Sequence, residues 1–129
     1  MRLLEGVNVL VVDDDPDTRD MLAMMLEMYG ASVETAATAR DGVRLVEGRQ
    51  LGIILCDITL PDADGYEFLA RVRTIANGAR VPAIALTGRG LDDDRARALA
   101  AGYSLHLTKP VAPDELIARI GEIANRSAG

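Results

Sequence analysis

Four aspartates, one threonine and one lysine are the residues of this 129-residue chain whose types and positions could do chemistry. Asp13, Asp14 and Asp15 follow the apolar run "VNVLVV", Asp57 follows "LGIILC", Thr87 follows "VPAIAL", and Lys109 follows "YSLHLT". Carboxylates brought close together repel and raise one another's pKa unless a cation intervenes. A hard divalent ion resolves the conflict. Magnesium prefers octahedral oxygen ligation, keeps several waters, and is typically held by one or two carboxylates and a phosphate. Lys109 offers a compact positive charge and Thr87 a hydroxyl donor, and each charge-assisted hydrogen bond to a phosphate is worth about 1.5–3 kcal/mol. The set fits a phosphoryl group transferred to a carboxylate, with Mg2+ as cofactor and Mn2+ able to substitute.

For these residues to meet, the elements carrying them must end at one place. Apolar bursts alternate with amphipathic segments five times, the rhythm of an α/β fold with a parallel sheet. Strands are expected at Val7 to Val12, Ser32 to Ala36, Leu51 to Cys56, Val81 to Leu86 and Tyr103 to Leu107. The first is short, rich in β-branched residues and almost wholly apolar, as in a strand covered on both faces, and Asp57 lies at the carboxyl end of a buried third strand. Helix starts are marked by Asp15 before Pro16, by Thr38 with Asp41 three residues on, by Asp64 with Glu67, and by Pro113 in a first turn. Gly30, Gly48 and Gly102 stand where helices can stop. Right-handed connections put the carboxyl ends of all parallel strands along one edge, where ligands bind at the reversal of strand order. With order 2-1-3-4-5, strands one and three are neighbours there and their acids share a pocket. Only the second strand contributes nothing reactive.

Composition narrows the classes. The length fits a single domain over 1–129 with its own core and no effector domain. Hydrophobic residues make up 49% and charged residues 26%, which excludes a disordered acidic tail. A net charge of -6 with no basic patch disfavours direct nucleic-acid binding. Cys56, the single cysteine, cannot form an internal disulfide, which fits a reducing cytosol or simply leaves the compartment open. No signal peptide and no apolar stretch of roughly 20 residues points to a membrane.

The runs "VLVVDDDP", "LCDITLPDADGYE", "AIALTGRG" and "LHLTKP", in that order, resemble the receiver domain of two-component response regulators over nearly the whole chain. The resemblance implies a flavodoxin-like (βα)5 three-layer sandwich. It implies Asp57 as the residue that accepts a phosphoryl group from a phosphohistidine on a sensor histidine kinase or histidine phosphotransfer protein. Asp14 would be the direct magnesium ligand, Asp13 would act through water, and the Thr59 backbone carbonyl would complete the protein ligands. Thr87 and Lys109 match the family's hydroxyl and lysine, and a cis Lys109-Pro110 peptide is implied. Output would pass through helix 4, strand 5 and helix 5 to a partner or a phosphorylation-dependent homodimer.

Two positions depart from the family's commonest pattern. His106 stands where an aromatic switch residue, Tyr or Phe, is frequent; it is expected to move inward after Thr87 is drawn to the phosphoryl group, with a pH dependence that the aromatics lack. Val111 stands where Phe is frequent. These features resemble receivers attached to hybrid histidine kinases at least as much as free-standing transcriptional regulators. Thr59 and Arg89, each two residues beyond Asp57 and Thr87, are expected to tune the lifetime of the phosphoryl group.

Blander readings compete at other positions. Cys56 reads as a small buried strand residue, and "DDDR" at 92–95 as a solvated helix start. Four of the five methionines lie on the first helix. Met25 joins the core stripe of Leu22, Leu26 and Tyr29, and wider core burial is the favoured account of Met21, Met24 and Met28; the competing account is an adaptable docking surface. Two other functions use similar residues. One is a phosphohydrolase resembling the haloacid dehalogenase family, which would place its nucleophile after strand one and use a cap domain. The other is a receiver-like scaffold that binds without phosphorylation.

Overall fold

In a computed structural model, residues 3–88 and 92–128 are described, with backbone alone at 92, 93 and 125–128. Strands β1 (Asn8–Val12), β2 (Ser32–Ala36), β3 (Ile53–Asp57), β4 (Ala83–Thr87) and β5 (Leu105–Thr108) alternate with helices α1 (Pro16–Met28), α2 (Ala39–Gly48), α3 (Gly65–Arg73), α4 (Asp92–Ala101) and α5 (Pro113–Ala128). The strands form one parallel sheet in the order β2-β1-β3-β4-β5. β3 and β4 are buried along their whole length, which is why they read as continuous apolar runs rather than alternating ones.

Alternation along each strand divides the core in two. Leu10, Val12, Ile54, Cys56, Ala83 and Ala85 face Val46, Phe68, Leu69, Val72 and Ala98 of α2, α3 and α4. Val9, Val11, Ile53, Leu55, Ile84 and Leu86 face Leu22, Leu26, Leu116, Ile117 and Ile120 of α1 and α5. Right-handed crossovers around a reversal of strand order put helices on both faces, and thereby seal both sides of the central strands.

The caps form where expected. Asp15 accepts from the Asp17 N–H and from the Thr18 hydroxyl, Thr38 accepts from the Asp41 N–H, and Asp64 accepts from the Glu67 N–H. Asp15 is thus spent on the start of α1. Strand ends differ by one or two residues: Asp57 and Thr87 are the last residues of β3 and β4 rather than the first residues after them, and β5 begins at Leu105. Tyr103 instead fills the core beneath α4. A 3-10 turn at Ala76–Gly78, unforeseen in the sequence, joins α3 to β4.

Met21, Met24 and Met28 contradict the favoured expectation of core burial. They are 56%, 65% and 72% exposed, whereas Leu22 and Leu26 on the same helix are sealed. The buried stripe is narrower than the methionines, because Leu22 and Leu26 with partly buried Met25 and Tyr29 already cover that part of the sheet.

Candidate functional site

Asp13, directly after β1, and Asp57, the last residue of β3, lie side by side because β1 pairs with β3 in register, Val12 opposite Cys56. Asp13 is fully buried, Asp57 is 9% exposed and Asp14 faces solvent. One carboxylate oxygen from each of Asp13, Asp14 and Asp57 lies within 4.8 Å of the others. At an effective dielectric of about 20, two charges at that separation repel by about 3–4 kcal/mol, and by less where water reaches Asp14.

A lysine offsets part of this. The Lys109 ammonium donates to Asp13 Oδ2 at 2.6 Å and to Asp57 Oδ2 at 3.2 Å. The remaining lone pairs are addressed by backbone: the Asp15 N–H donates to Asp13 Oδ1 and the Thr59 N–H to Asp57 Oδ1, both at 3.0 Å. Burial still pushes the Asp57 carboxyl above the usual carboxylate range, against the pull of the Thr59 N–H and Lys109. For Lys109 burial acts downward, but the Asp13 hydrogen bond and the charge of Asp57 outweigh it and the ammonium is held above its ordinary value. Three acids facing one lysine leave the pocket short of positive charge, and hard oxygen donors of this kind fit a magnesium-sized cation.

Thr87 ends β4 beside this pocket, and its backbone carbonyl accepts from the Lys109 N–H at 2.7 Å. An open cavity of about 410 Å³ lies between Ile58, Thr59, Thr87, Gly88 and Asp94, with room for a tetrahedral oxyanion. The His106 Nε2 lies 2.9 Å from the Thr87 hydroxyl. The Lys109-Pro110 peptide is cis. Val111 is partly buried against the α1 and α5 side of the core. Arg89 and the side chains of Asp92 and Asp93 lie outside the described residues; Asp94 is half-buried and Arg95 exposed.

Several residues that hold the site escaped the sequence reading. Gly65 comes so close to the acceptor loop that a Cβ there would sit 2.9 Å from the Ile58 Cα and 3.0 Å from the Asp57 carbonyl oxygen. Its N–H donates to the Ile58 carbonyl, and its own carbonyl accepts from the buried Tyr103 hydroxyl, both at 2.7 Å. Asp62 accepts from the Ala39 and Arg40 N–H groups at the start of α2. The glycine after "DAD" was a visible signal of close approach; Asp62 and Tyr103 had none, since their partners lie 23 and 38 residues away. Cys56, as expected, is an inert core residue: burial pushes its thiol up to about 12.

Comparison with known proteins agrees with this geometry. An uncharacterized 14.6 kDa protein encoded in the sodA1 3' region of Leptolyngbya boryana is 45% identical, over 91% of this chain and 89% of that protein. The transcriptional regulatory protein TcrA of Mycobacterium tuberculosis is 37% identical over 95% of this chain, which spans only 48% of TcrA. Among solved structures, the receiver domain of the sensor histidine kinase PA1611 from Pseudomonas aeruginosa PAO1, with magnesium coordinated in its active-site cleft, superposes with a TM-score of 0.86 at 35% identity, covering 93% of this chain and 98% of that one. A putative response regulator from Chloroflexus aurantiacus J-10-fl gives 0.89 at 30% identity, covering 95% and 100%. The family profile described as response regulator receiver domain matches residues 9–121. With the sheet order, the acid pocket and this match in agreement, the chain belongs to the response regulator receiver domain family, the phosphoacceptors of two-component signalling.

Proposed function

We propose that Asp57 is the phosphoacceptor of this receiver domain and takes its phosphoryl group from a phosphohistidine of a sensor histidine kinase or phosphotransfer protein in the cytoplasm. The observation carrying this is the seat of Asp57: a largely buried carboxylate at the end of a rigid central strand, with Asp13, Asp14 and Lys109 gathered around it. An Asp57 carboxylate oxygen attacks phosphorus, the P–O bond forms as the P–N bond to the donor imidazole breaks, and no general base is needed. Asp13, Asp14 and Asp57 with the Thr59 carbonyl would hold Mg2+, or Mn2+ in its place. Such a cation supplies positive charge that offsets both the carboxylates and the incoming oxygens. Lys109, released from its share in Asp57, and the Thr87 hydroxyl hold the transferred group, so that catalysis is positioning and charge stabilisation. Slow self-catalysed loss of the phosphoryl group to water, tuned by Thr59 and Arg89, completes the cycle.

The exposed face of α1 supports a docking role. Met21 lines an apolar hollow of about 270 Å³ with Leu22, Leu86, Lys109, Pro110 and Val111, and exposed Met24 and Met28 lie further along the same helix. Methionine surfaces adapt to varied partners, and this one adjoins the acceptor pocket, where a donor's helical bundle must present its phosphohistidine. On the output side, α4 and α5 flank the edge strand β5, and exposed Leu99 on α4 suits a homodimer or a separate partner contact.

Incubation with magnesium and acetyl phosphate or phosphoramidate, followed by intact mass measurement, tests the assignment. One base-labile phosphoryl adduct is expected on the wild type and none on Asp57→Asn. Absence of the adduct from the wild type would return the chain to a scaffold role.

A further inference from the structure

We propose that Tyr103 is a positioning residue of the acceptor pocket: its buried hydroxyl grips the Gly65 carbonyl and so holds Thr59 in place for the cation beside Asp57. The inference rests on the reading of Asp57 as a phosphoacceptor with magnesium next to it, and deepens that reading. Tyr103 is 3% exposed in the core between the sheet and α2, α3 and α4. A phenylalanine would bury the same ring with no hydroxyl to satisfy, and a buried hydroxyl costs free energy unless it is bonded. This one donates to the Gly65 carbonyl at 2.7 Å. Burial pushes the hydroxyl above the ordinary tyrosine value, so it keeps its proton and stays a donor.

Both ends of the bond are anchored. On one side, Gly102 turns at a φ of +110° and α4 stops. The Tyr103 N–H then donates to the Ala98 carbonyl at 3.0 Å, and the Ser104 N–H to the Ala83 carbonyl of β4 at 2.8 Å. The ring therefore stands on the end of α4 and on the sheet at once. On the other side, the Gly65 N–H meets the Ile58 carbonyl at 2.7 Å, and Thr59 bridges Asp64. These contacts close residues 58–64 at their base, and the same loop sends the Thr59 N–H to Asp57 Oδ1 at 3.0 Å. A carbonyl oxygen has two lone pairs, so the Tyr103 hydroxyl adds to Gly65 without displacing the bond that the helix supplies. Cys56, in the same core, directs its thiol to the Asp57 carbonyl at 3.2 Å. Two core side chains thus bond the backbone carbonyls at the two ends of the acceptor loop. With Gly65 free to pivot, Thr59 would shift against Asp57. With Gly65 gripped, the loop holds one geometry before the cation arrives, and such preorganisation is what positioning contributes.

Tyr103→Phe keeps the ring and removes the hydroxyl. Val81→Ala trims the same core at the amino end of the sheet, and serves as the control for general loosening. Amide NMR shifts of the full chain are recorded without metal and during titration with magnesium chloride, and urea unfolding gives the stability of each variant. In Tyr103→Phe the Thr59 amide signal should move in metal-free buffer, and the magnesium Kd should rise about threefold. Val81→Ala should leave both at wild-type values although it loses as much stability or more. An unchanged magnesium Kd in Tyr103→Phe, with or without a moved Thr59 signal, would overturn the positioning role; so would equal weakening in Val81→Ala. A wild type with no saturable response to magnesium would instead overturn the cation reading of the acid pocket, and this inference with it.

Discussion

Toward the amino end of the sheet, the Asn8 side chain reaches the Gln50 carbonyl at 3.1 Å, and Arg49 meets Glu34 at 3.3 Å with the two side chains 53% and 40% exposed. At the carboxyl end, the Lys109 ammonium sits 2.6 Å from an Asp13 carboxylate that solvent does not reach. The same strands run between these ends, so strand chemistry does not account for the contrast. An exposed pair contributes about 0–1 kcal/mol, whereas a buried pair repays its desolvation only through close geometry and added hydrogen bonds. Stability alone therefore gives no reason to bury charge at one end only. The reason lies in the chemistry that a dry, positioned carboxylate performs.

The sharpest way to break that contrast is to remove the lysine. Lys109→Ala leaves Asp13 buried and unpaired, and urea unfolding in metal-free buffer should show a loss of about 3 kcal/mol, the lower end for breaking a buried pair because the lysine is partly exposed. Arg49→Ala should cost less than about 1 kcal/mol; equal losses would erase the distinction between the two ends. Next comes the cation. Magnesium at a hundredfold excess over its dissociation constant should stabilise the wild type by about 2.7 kcal/mol, read as a rise in thermal midpoint, with most of the rise lost in Asp14→Asn. A full rise in that variant would remove Asp14 from the ligand set.

Met24→Gln with Met28→Gln carries a smaller expected effect. Phosphotransfer from a cognate phosphohistidine protein should slow several-fold, on the order of 1 kcal/mol of lost apolar contact, while the rate with acetyl phosphate stays unchanged. Equal slowing of both would return the methionines to a purely structural role. The last prediction concerns pH. Burial raises the Asp57 carboxyl in the fold, so between 3.8 and its raised value the native state binds more protons than the unfolded chain, and stability falls as pH rises through that window. Asp57→Asn, which carries no such charge, should therefore be the more stable protein at neutral pH without metal. Its advantage should shrink as pH falls toward 3.8; an advantage independent of pH would place the cause elsewhere.

Much of this end of the molecule was legible in the sequence. The apolar strand runs, the caps at Asp15, Thr38 and Asp64, and the acids and lysine beside strand ends are local signals, each written within a few residues. What escaped notice depends on approach between distant segments. Tyr103 was assigned to a strand because it heads an apolar stretch, yet its hydroxyl is satisfied by Gly65, and no local pattern encodes that partner. The methionines of α1 match a helical stripe, but periodicity gives spacing without saying how much width the sheet can cover. His106 was read as a switch residue from its place before Lys109, whereas its contact with Thr87 follows from the register of β4 against β5, which no local pattern encodes.

Asp62 carries a consequence for anyone who would rebuild this domain. Its carboxylate stands on the loop after the acceptor, yet it closes the first turn of α2 through the Ala39 and Arg40 N–H groups. The loop is consequently no interchangeable cassette. Grafting residues 58–65 from another receiver to retune phosphoryl lifetime would also leave α2 without its second cap, and a chimera judged by lifetime alone would confuse altered chemistry with a frayed helix. The smallest transplantable unit runs from Thr38 through Gly65.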